Sequence, residues 1–371
     1  MGVYLRCCKR AAFIVTTGFD VATFHFLLKL FTGVWDRVPI PRDDVAWRGV
    51  SRPSQRSLSA AGALGLVLHF LNSTMAEISL QAIFGLTPTV CSRYLNFGLR
   101  ILLETLKRTP EGRISWPTRP AKFQRYADII AERHPSLTGA FCFIDGVKIP
   151  VAESLDEATQ NAQYNGWTCS HYCSSVFAFA PDGTIICALI NAFGSWHDAA
   201  VAQDLYAKLQ NKTPEGYFAI ADSAFPRTRQ GISSRIQTPL KKNSRQSRLL
   251  RAKRRFDELE ELLSRNRELV SARQAVEWGM RSLQGSFARL KMPLPADDCE
   301  YRATLIEACA RLHQVRTRLV GINQIKTVYE KVWQDGGRTL YEEFESMIFR
   351  DIQASDRIKR YYDALTDAME S

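Results

Sequence analysis

No apolar run in this 371-residue chain reaches about 18 residues, the least that a membrane-spanning helix needs. The most apolar stretch, AAGALGLVLHFL, is shorter and contains His69, so it reads as a core helix and no membrane partner is expected. The opening MGVYLRCCKRAAFIVTTGF has basic and apolar parts but no convincing cleavage site, and Phe19 leads straight into a helical pattern, so it is not read as a secretory leader. The nine cysteines have no repeating spacing, which argues for a reduced compartment over a disulfide framework. Cys169, His171 and Cys173 in CSHYC lack a second pair of ligands, so structural zinc is not expected there. Acidic residues are also in short supply, 38 against 49 Lys and Arg, a net charge of +11. A polyanion, most commonly nucleic acid, is the partner that such a balance favours.

What is present is ordinary globular composition, 46% hydrophobic and 23% charged, at a length for two domains or one large domain with appendages. Residues 1–110 read as helical. DVATFHFLLKLF (20–31) has apolar residues at helical spacing, a second helix covers 58–72, and two more flank the turn at Gly85–Thr87. Thr87 followed by Pro88 is a helix start. Helices joined by such a turn form a helix-turn-helix, whose second helix could enter a DNA major groove, with Arg93 and Asn96 off the Val90–Tyr94–Phe97 stripe as contacts. An ordinary hairpin packing a core has the same pattern.

Residues 111–138 are expected to be a proline-broken linker, after which the period changes. AFCFIDGVKI, YCSSVFAFA, TIICALINA and GYFAIADSAF are short strands, with a hairpin turn at Pro181–Gly183 and a helix over about 198–209. Three antiparallel strands, then helix, strand and more helices make an α/β arrangement of the ribonuclease H-like kind. From 241 the chain carries KKNSRQSRLLRAKRR, eight basic residues and no acidic one. Lys241, Lys242, Arg245, Arg248, Arg251, Lys253, Arg254 and Arg255 read as a nuclear-import signal, a DNA-backbone contact or a solvated helix face. A basic helical insertion over 241–270 and C-terminal helices over 321–371 complete the division, with 139–320 as the catalytic domain.

Four carboxylates sit at the ends of apolar elements or in their midst. Asp145 ends the first strand, Asp222 ends the fourth, Asp198 follows the third, and Glu277 lies within a helix between Val276 and Trp278. Taken singly, each Asp is a turn or cap residue, and Glu277 pairs with Arg273 or Arg281 one helical turn away. If the first and fourth strands are neighbours, Asp145 and Asp222 emerge together, and a helix across that edge brings in Glu277. Carboxylates so gathered repel one another unless they bind cations. Hard oxygen donors suit Mg²⁺ or Mn²⁺, and two such ions activate a water or 3′-hydroxyl against a phosphodiester.

In the order FIDGVKIPV, YNGWTCSHYC, PDGTIICALINAFGSWHDAAV, YFAIADSAFP, QTPLKK, ARQAVEWGMRSLQGSFARL and ARLHQVRTRL, residues 139–320 resemble the PIF/Harbinger-type DDE transposases. The helical segment LQAIFGLTPTVCSRYL resembles the helix-turn-helix of that family. The resemblance implies a two-metal DNA endonuclease and strand transferase with Asp145, Asp222 and Glu277 as the catalytic carboxylates. Gly194, Ser195 and Asp198 match its G-S-x-x-D, so Asp198 is an alternative or auxiliary metal ligand. It further implies transposon ends and target DNA as partners, a Myb-like DNA-binding partner protein, a homo-oligomer and a nuclear location. Tyr164, Asn165, Trp167 and His171 could line the site or pack a hairpin.

Three departures from the pattern stand out. ADSAF replaces a glycine-rich second-aspartate motif, LHQ (312–314) replaces L-H-N, and the 55 positions from Asp222 to Glu277 are a long interval for the family. A catalytically silent, domesticated DNA-binding or scaffold protein is therefore one rival. A ribonuclease H-like enzyme acting on RNA or hybrids is another.

Overall fold

The structure is a computed structural model describing residues 10–41, 50–225, 232, 234–240 and 244–330. Lys241, Lys242 and the expected C-terminal helices beyond residue 330 lie outside the described residues. The chain divides into two compact units, Met1–Lys326 and Thr327–Ser371. The helical layer, the sheet and the candidate site all belong to the first.

The N-terminal helices are α1 (Arg10–Thr17), α2 (Val21–Trp35), α3 (Ala60–Asn72), α4 (Glu77–Phe84) and α5 (Pro88–Arg108). Asp20 caps α2 by accepting from the Thr23 amide at 2.8 Å. Phe24, Leu27, Phe31 and Trp35 then recur at three- and four-residue spacing on its buried face. The Trp35 ring stacks on Phe31 and meets Phe97 of α5 at 5.1 Å. Helix α4 ends at Gly85 in the left-handed conformation (φ 63°), and Pro88 opens α5 after Thr87. From Cys91 to Leu106, α5 buries eleven residues, which makes it the central helix of this layer.

The segment expected as a linker carries a helix, α6 (Pro120–Arg133), whose Phe123, Tyr126, Ala127 and Ile130 are buried. Pro120 occupies its first turn, where the missing N–H costs nothing.

A six-stranded mixed sheet follows: β1 (Ala140–Pro150), β2 (Tyr164–Asn165), β3 (Ser170–Phe179), β4 (Ile185–Phe193), β5 (Phe218–Ala221) and β6 (Ile236–Gln237), with α7 (Glu157–Gln163) before β2. The long strands β1, β3 and β4 are antiparallel neighbours, as expected, and β5 and β6 join β1 in parallel. The helix expected at 198–209 is two, α8 (Asp198–Val201) and α9 (Gln203–Asn211), broken at Ala202. On one face of the sheet Cys142, Ile144, Val176, Ala178, Ala219 and Ala221 form a core with Phe123 and Tyr126 of α6 and Leu205 and Leu209 of α9.

The other face carries Phe179 and is covered by a 31-residue helix, α11 (Phe256–Ser286), preceded by α10 (Arg245–Ala252). Gly279 lets α11 lie close, since a Cβ there would meet the Phe179 ring at 2.9 Å. Helix α12 (Cys299–Val315) ties the layers together. Its Gln314 accepts from the Ile185 amide at 2.7 Å and donates to the Ile185 carbonyl at 2.8 Å. It also donates to the Arg113 carbonyl, while Glu307 pairs with Lys107 of α5 at 3.0 Å.

Candidate active site

Strand β1 pairs with β5 only as far as Ile144, opposite Ala221. There β5 stops, while β1 runs on to Pro150 paired with β3. The residues just past the last parallel pair are Asp145 and Asp222, so both carboxylates stand at one height where the sheet opens a notch. That is why an apolar strand can carry an acid without burying it in the core. The Gly146 amide donates to Asp145 Oδ1 at 2.9 Å, and the Ala224 amide to Asp222 Oδ1 at 2.6 Å.

Burial pushes the Asp145 carboxyl up to about 6; the neighbouring Asp222 and Asp198 push the same way, and the Gly146 amide and Arg273 oppose them. Asp198 opens α8 after His197, and its carboxylate lies against the α-carbon of Gly146, where any Cβ would overlap it. Burial raises its pKa too, followed by Asp222, with Lys148 and His197 opposing. Asp145 and Asp198 thus both feel the charge of Asp222, with Arg273, Lys148 and His197 as the positive groups that oppose it.

Glu277, on α11, enters differently. Arg273, one turn earlier, holds it at 2.9 Å and reaches Asp222 with its other terminal nitrogen at 3.7 Å. The pairing expected of an isolated Glu277 is therefore present, and its partner also reaches Asp222.

Among the described residues no three His, Cys, Asp or Glu side chains lie close enough together to hold a common ion. The donor chemistry nonetheless fits a hard divalent cation. Asp145, Asp198 and Asp222 supply only carboxylate oxygens, and the burial that raises the pKa of two of them is a cost that a bound cation would offset.

Residues 144–314 match the family model of the DDE superfamily endonucleases. No curated protein and no solved structure matches the chain. The DDE match covers the sheet from Ile144 onward, α11 and most of α12, begins one residue before Asp145, and includes all four carboxylates. It supports a nuclease of the transposase type.

The remaining expected residues are dispersed. Arg245, Arg248, Arg251, Lys253, Arg254 and Arg255 are exposed along α10 and the turn after it, Arg255 pairing with Glu258. Asn96 is exposed and Arg93 half-buried, midway along α5. Asn96 faces Asp298, Glu300 and Tyr301 across a small cavity, away from the exposed first turn of that helix. Asn165 has a packing role: its amide donates to the Gly194 carbonyl at 2.9 Å, and its oxygen accepts from Thr168. Trp167 is 93% exposed, and the Tyr164 and His171 rings lie against each other at 5.3 Å.

Sequence reasoning missed Lys148, whose only signal is its place three residues after Asp145, and the device that aims Asp198. Near the end of β4, Asn191 takes a left-handed conformation (φ 59°) where β4 bulges against β3. Arg302 of α12, 2% exposed, donates to the Asn191 side-chain oxygen at 3.0 Å and to the Pro295 and Ala296 carbonyls. Asn191 in turn donates to the Cys299 carbonyl at 2.9 Å. The turn to Gly194 and on to Asp198 starts from this fixed point.

The close approach of Asp198 to Gly146 gives a test. Gly146→Ala is expected to leave the strand paired but displace Asp198, lowering DNA cleavage by about 10²-fold, the usual result of a 1 Å misplacement. Nicking rates measured on equal amounts of folded protein check it.

Proposed function

We propose that this chain is a divalent-cation-dependent DNA endonuclease and strand transferase of the PIF/Harbinger type, built on a ribonuclease H-like core. The observation that carries the reading is the placing of Asp145 and Asp222 side by side at the sheet notch, with Asp198 against Gly146, inside the segment similar to DDE endonucleases.

Asp145 and Asp222 would hold two Mg²⁺ or Mn²⁺ ions, with Asp198 beside them and Glu277 completing the set from α11. Bound there, the ions would supply an activated oxygen nucleophile and charge stabilisation for the leaving oxygen. The protein's own part is positional. The Gly146 and Ala224 amides fix the two strand-end carboxylates, and Gly146 leaves room for Asp198. Arg273 holds Glu277 near the cluster.

The reaction is water attack on a phosphodiester at the ends of a DNA element, followed by attack of the freed 3′-hydroxyl on target DNA in the same site. Exposed arginines and lysine of α10 and its flanking turn would neutralise phosphates. The helices α4 and α5 are the helix-turn-helix of this reading. The protein would act in the nucleus as a homo-oligomer with a Myb-like DNA-binding partner.

One observation favours the silent, DNA-binding alternative: Arg273 already pairs with Glu277 and reaches Asp222, where a cation would otherwise sit. Supercoiled plasmid separates the two. The nuclease reading expects Mg²⁺- or Mn²⁺-dependent nicking that Asp145→Ala and Asp222→Ala both lose. Wild type that nicks no faster than these variants would leave only the binding role.

A further inference from the structure

A cavity of about 510 Å³ opens between α1, the end of α3, the last turns of α11 and the chain that follows α12. Its lining includes Arg281, Arg316, Asn72, Ser282 and Ser286 and, among the described residues, no carboxylate. Arg316 starts a π-helical turn, Arg316–Val320, a geometry frequent at functional sites. One end of its guanidinium donates to Ser286 Oγ, and Ser286 Oγ donates to the Ser282 carbonyl at 2.6 Å. Among the described residues its Nε has no hydrogen-bond partner, and neither has the buried amide nitrogen of Asn72. Burial lowers the pKa of Arg316, and among the described residues no acidic neighbour offsets it. A buried cation without a counter-charge is costly, and leaving its donors unmade adds to that cost. An anion in the cavity would remove both penalties.

We propose that this cavity binds a phosphate group, held by Arg316 and Arg281 with Asn72 beside them. Phosphate suits the planar, multi-donor guanidinium better than a monatomic anion does. Resting on the nuclease reading above, the expected source is the backbone of the DNA strand being cut. Arg281 lies four residues beyond Glu277 on α11 and Ser286 nine, which at 1.5 Å per residue is about 6 and 13 Å along the helix. With a duplex rise of roughly 3.4 Å per nucleotide, that is the distance of a phosphate about two to four nucleotides from the carboxylates. The cavity would then read where the strand lies, one step away from where it breaks.

Two measurements on the full chain test this. The first is thermal unfolding in inorganic phosphate against chloride at equal ionic strength. Phosphate stabilises proteins non-specifically by exclusion, so the quantity read is the difference between wild type and variant. Wild type is expected to gain about 2–4 °C more than Arg281→Gln or Arg316→Met. Should Arg316→Met fail to fold, Arg281→Gln, which alters an exposed side chain, carries the test alone. The second is the salt dependence of duplex DNA binding, whose logarithmic slope is expected to fall by about one in each variant.

A phosphate difference together with a lowered slope supports the site with DNA as its source. A phosphate difference with an unchanged slope supports the site with a free phosphate or phosphomonoester as its source. Equal phosphate shifts in wild type and variants overturn the proposal, whatever the slope. A protein that shows the phosphate difference but does not nick plasmid sinks the nuclease reading alone, and one that nicks without the difference sinks only this proposal.

Discussion

Asp145→Asn is expected to abolish cation-dependent nicking while the protein folds at least as well as wild type. The loss should be on the order of 10³-fold, since a metal-centred site supplies several kcal/mol of transition-state stabilisation and each 1.4 kcal/mol is tenfold. Stability should move the other way. The folded Asp145 carboxyl titrates near 6, against an ordinary value of 3.8, so the folded state holds its proton more tightly than the unfolded state does. The contribution of this group is therefore fully present below about pH 4 and is lost as pH rises through about 6. Asparagine, which never ionises, keeps that contribution. Without added cation the variant should match wild type near pH 4 and exceed it near pH 7.5, by at most about 3 kcal/mol for a shift of this size in a largely buried group. Denaturant melts at the two pH values check the sign. A variant less stable than wild type at neutral pH would mean that Asp145 is structurally required and not merely tolerated. Saturating Mg²⁺ should narrow the neutral-pH gap by stabilising wild type alone, a readout that does not depend on cleavage.

Arg302→Met is expected to destabilise the fold more than any substitution at the four carboxylates. The side chain is fully buried, and it satisfies the carbonyls of Pro295 and Ala296 and the amide oxygen of Asn191. Methionine fills similar volume but leaves those acceptors dry, at about 1–3 kcal/mol for each one left unsatisfied. A total of about 3–5 kcal/mol follows for the set, read as a shift in the urea midpoint at constant slope. Because Asn191 begins the turn toward Asp198, nicking by the surviving folded fraction should also fall. Unchanged nicking per folded molecule would show that Asp198 is aimed by something else.

Much of this site can be read from the chain itself. FIDGVKIP and FAIADSAF each place an acid after an apolar strand, and the neighbouring strand pair duly brings Asp145 and Asp222 to one height. Glu277 is legible only in part, because helical spacing points equally to Arg273 and to the cluster, and Arg273 touches both. What escapes depends on contacts distant in sequence. Arg302 lies in a helix where an arginine ordinarily signals solvent, and only the packing of α12 on the end of β4 buries it. Gly146 signals a close approach but not what approaches, since Asp198 is 52 positions away. The supposed linker misleads through its prolines. They read as breakers, whereas Pro120 starts α6, and Phe123, Tyr126 and Ile130 show its helical period. In α5, Arg93 and Asn96 lie off the apolar stripe as expected, yet the long buried stripe itself makes that helix the centre of a bundle.

Helix α11 runs without a break from Phe256 to Ser286, about 46 Å at 1.5 Å per residue. Its first turn adjoins the exposed basic stretch, its middle carries Arg273 and Glu277, and its last turns line the arginine cavity. These three places are therefore phase-locked on a single rod. Adding or removing one residue between Phe256 and Arg273 would turn the basic end by about 100° against the carboxylates without melting the helix at either end. Helical phase, set by a residue count in a stretch that bears no candidate catalytic group, thus fixes the angle between the basic end of this helix and its carboxylate.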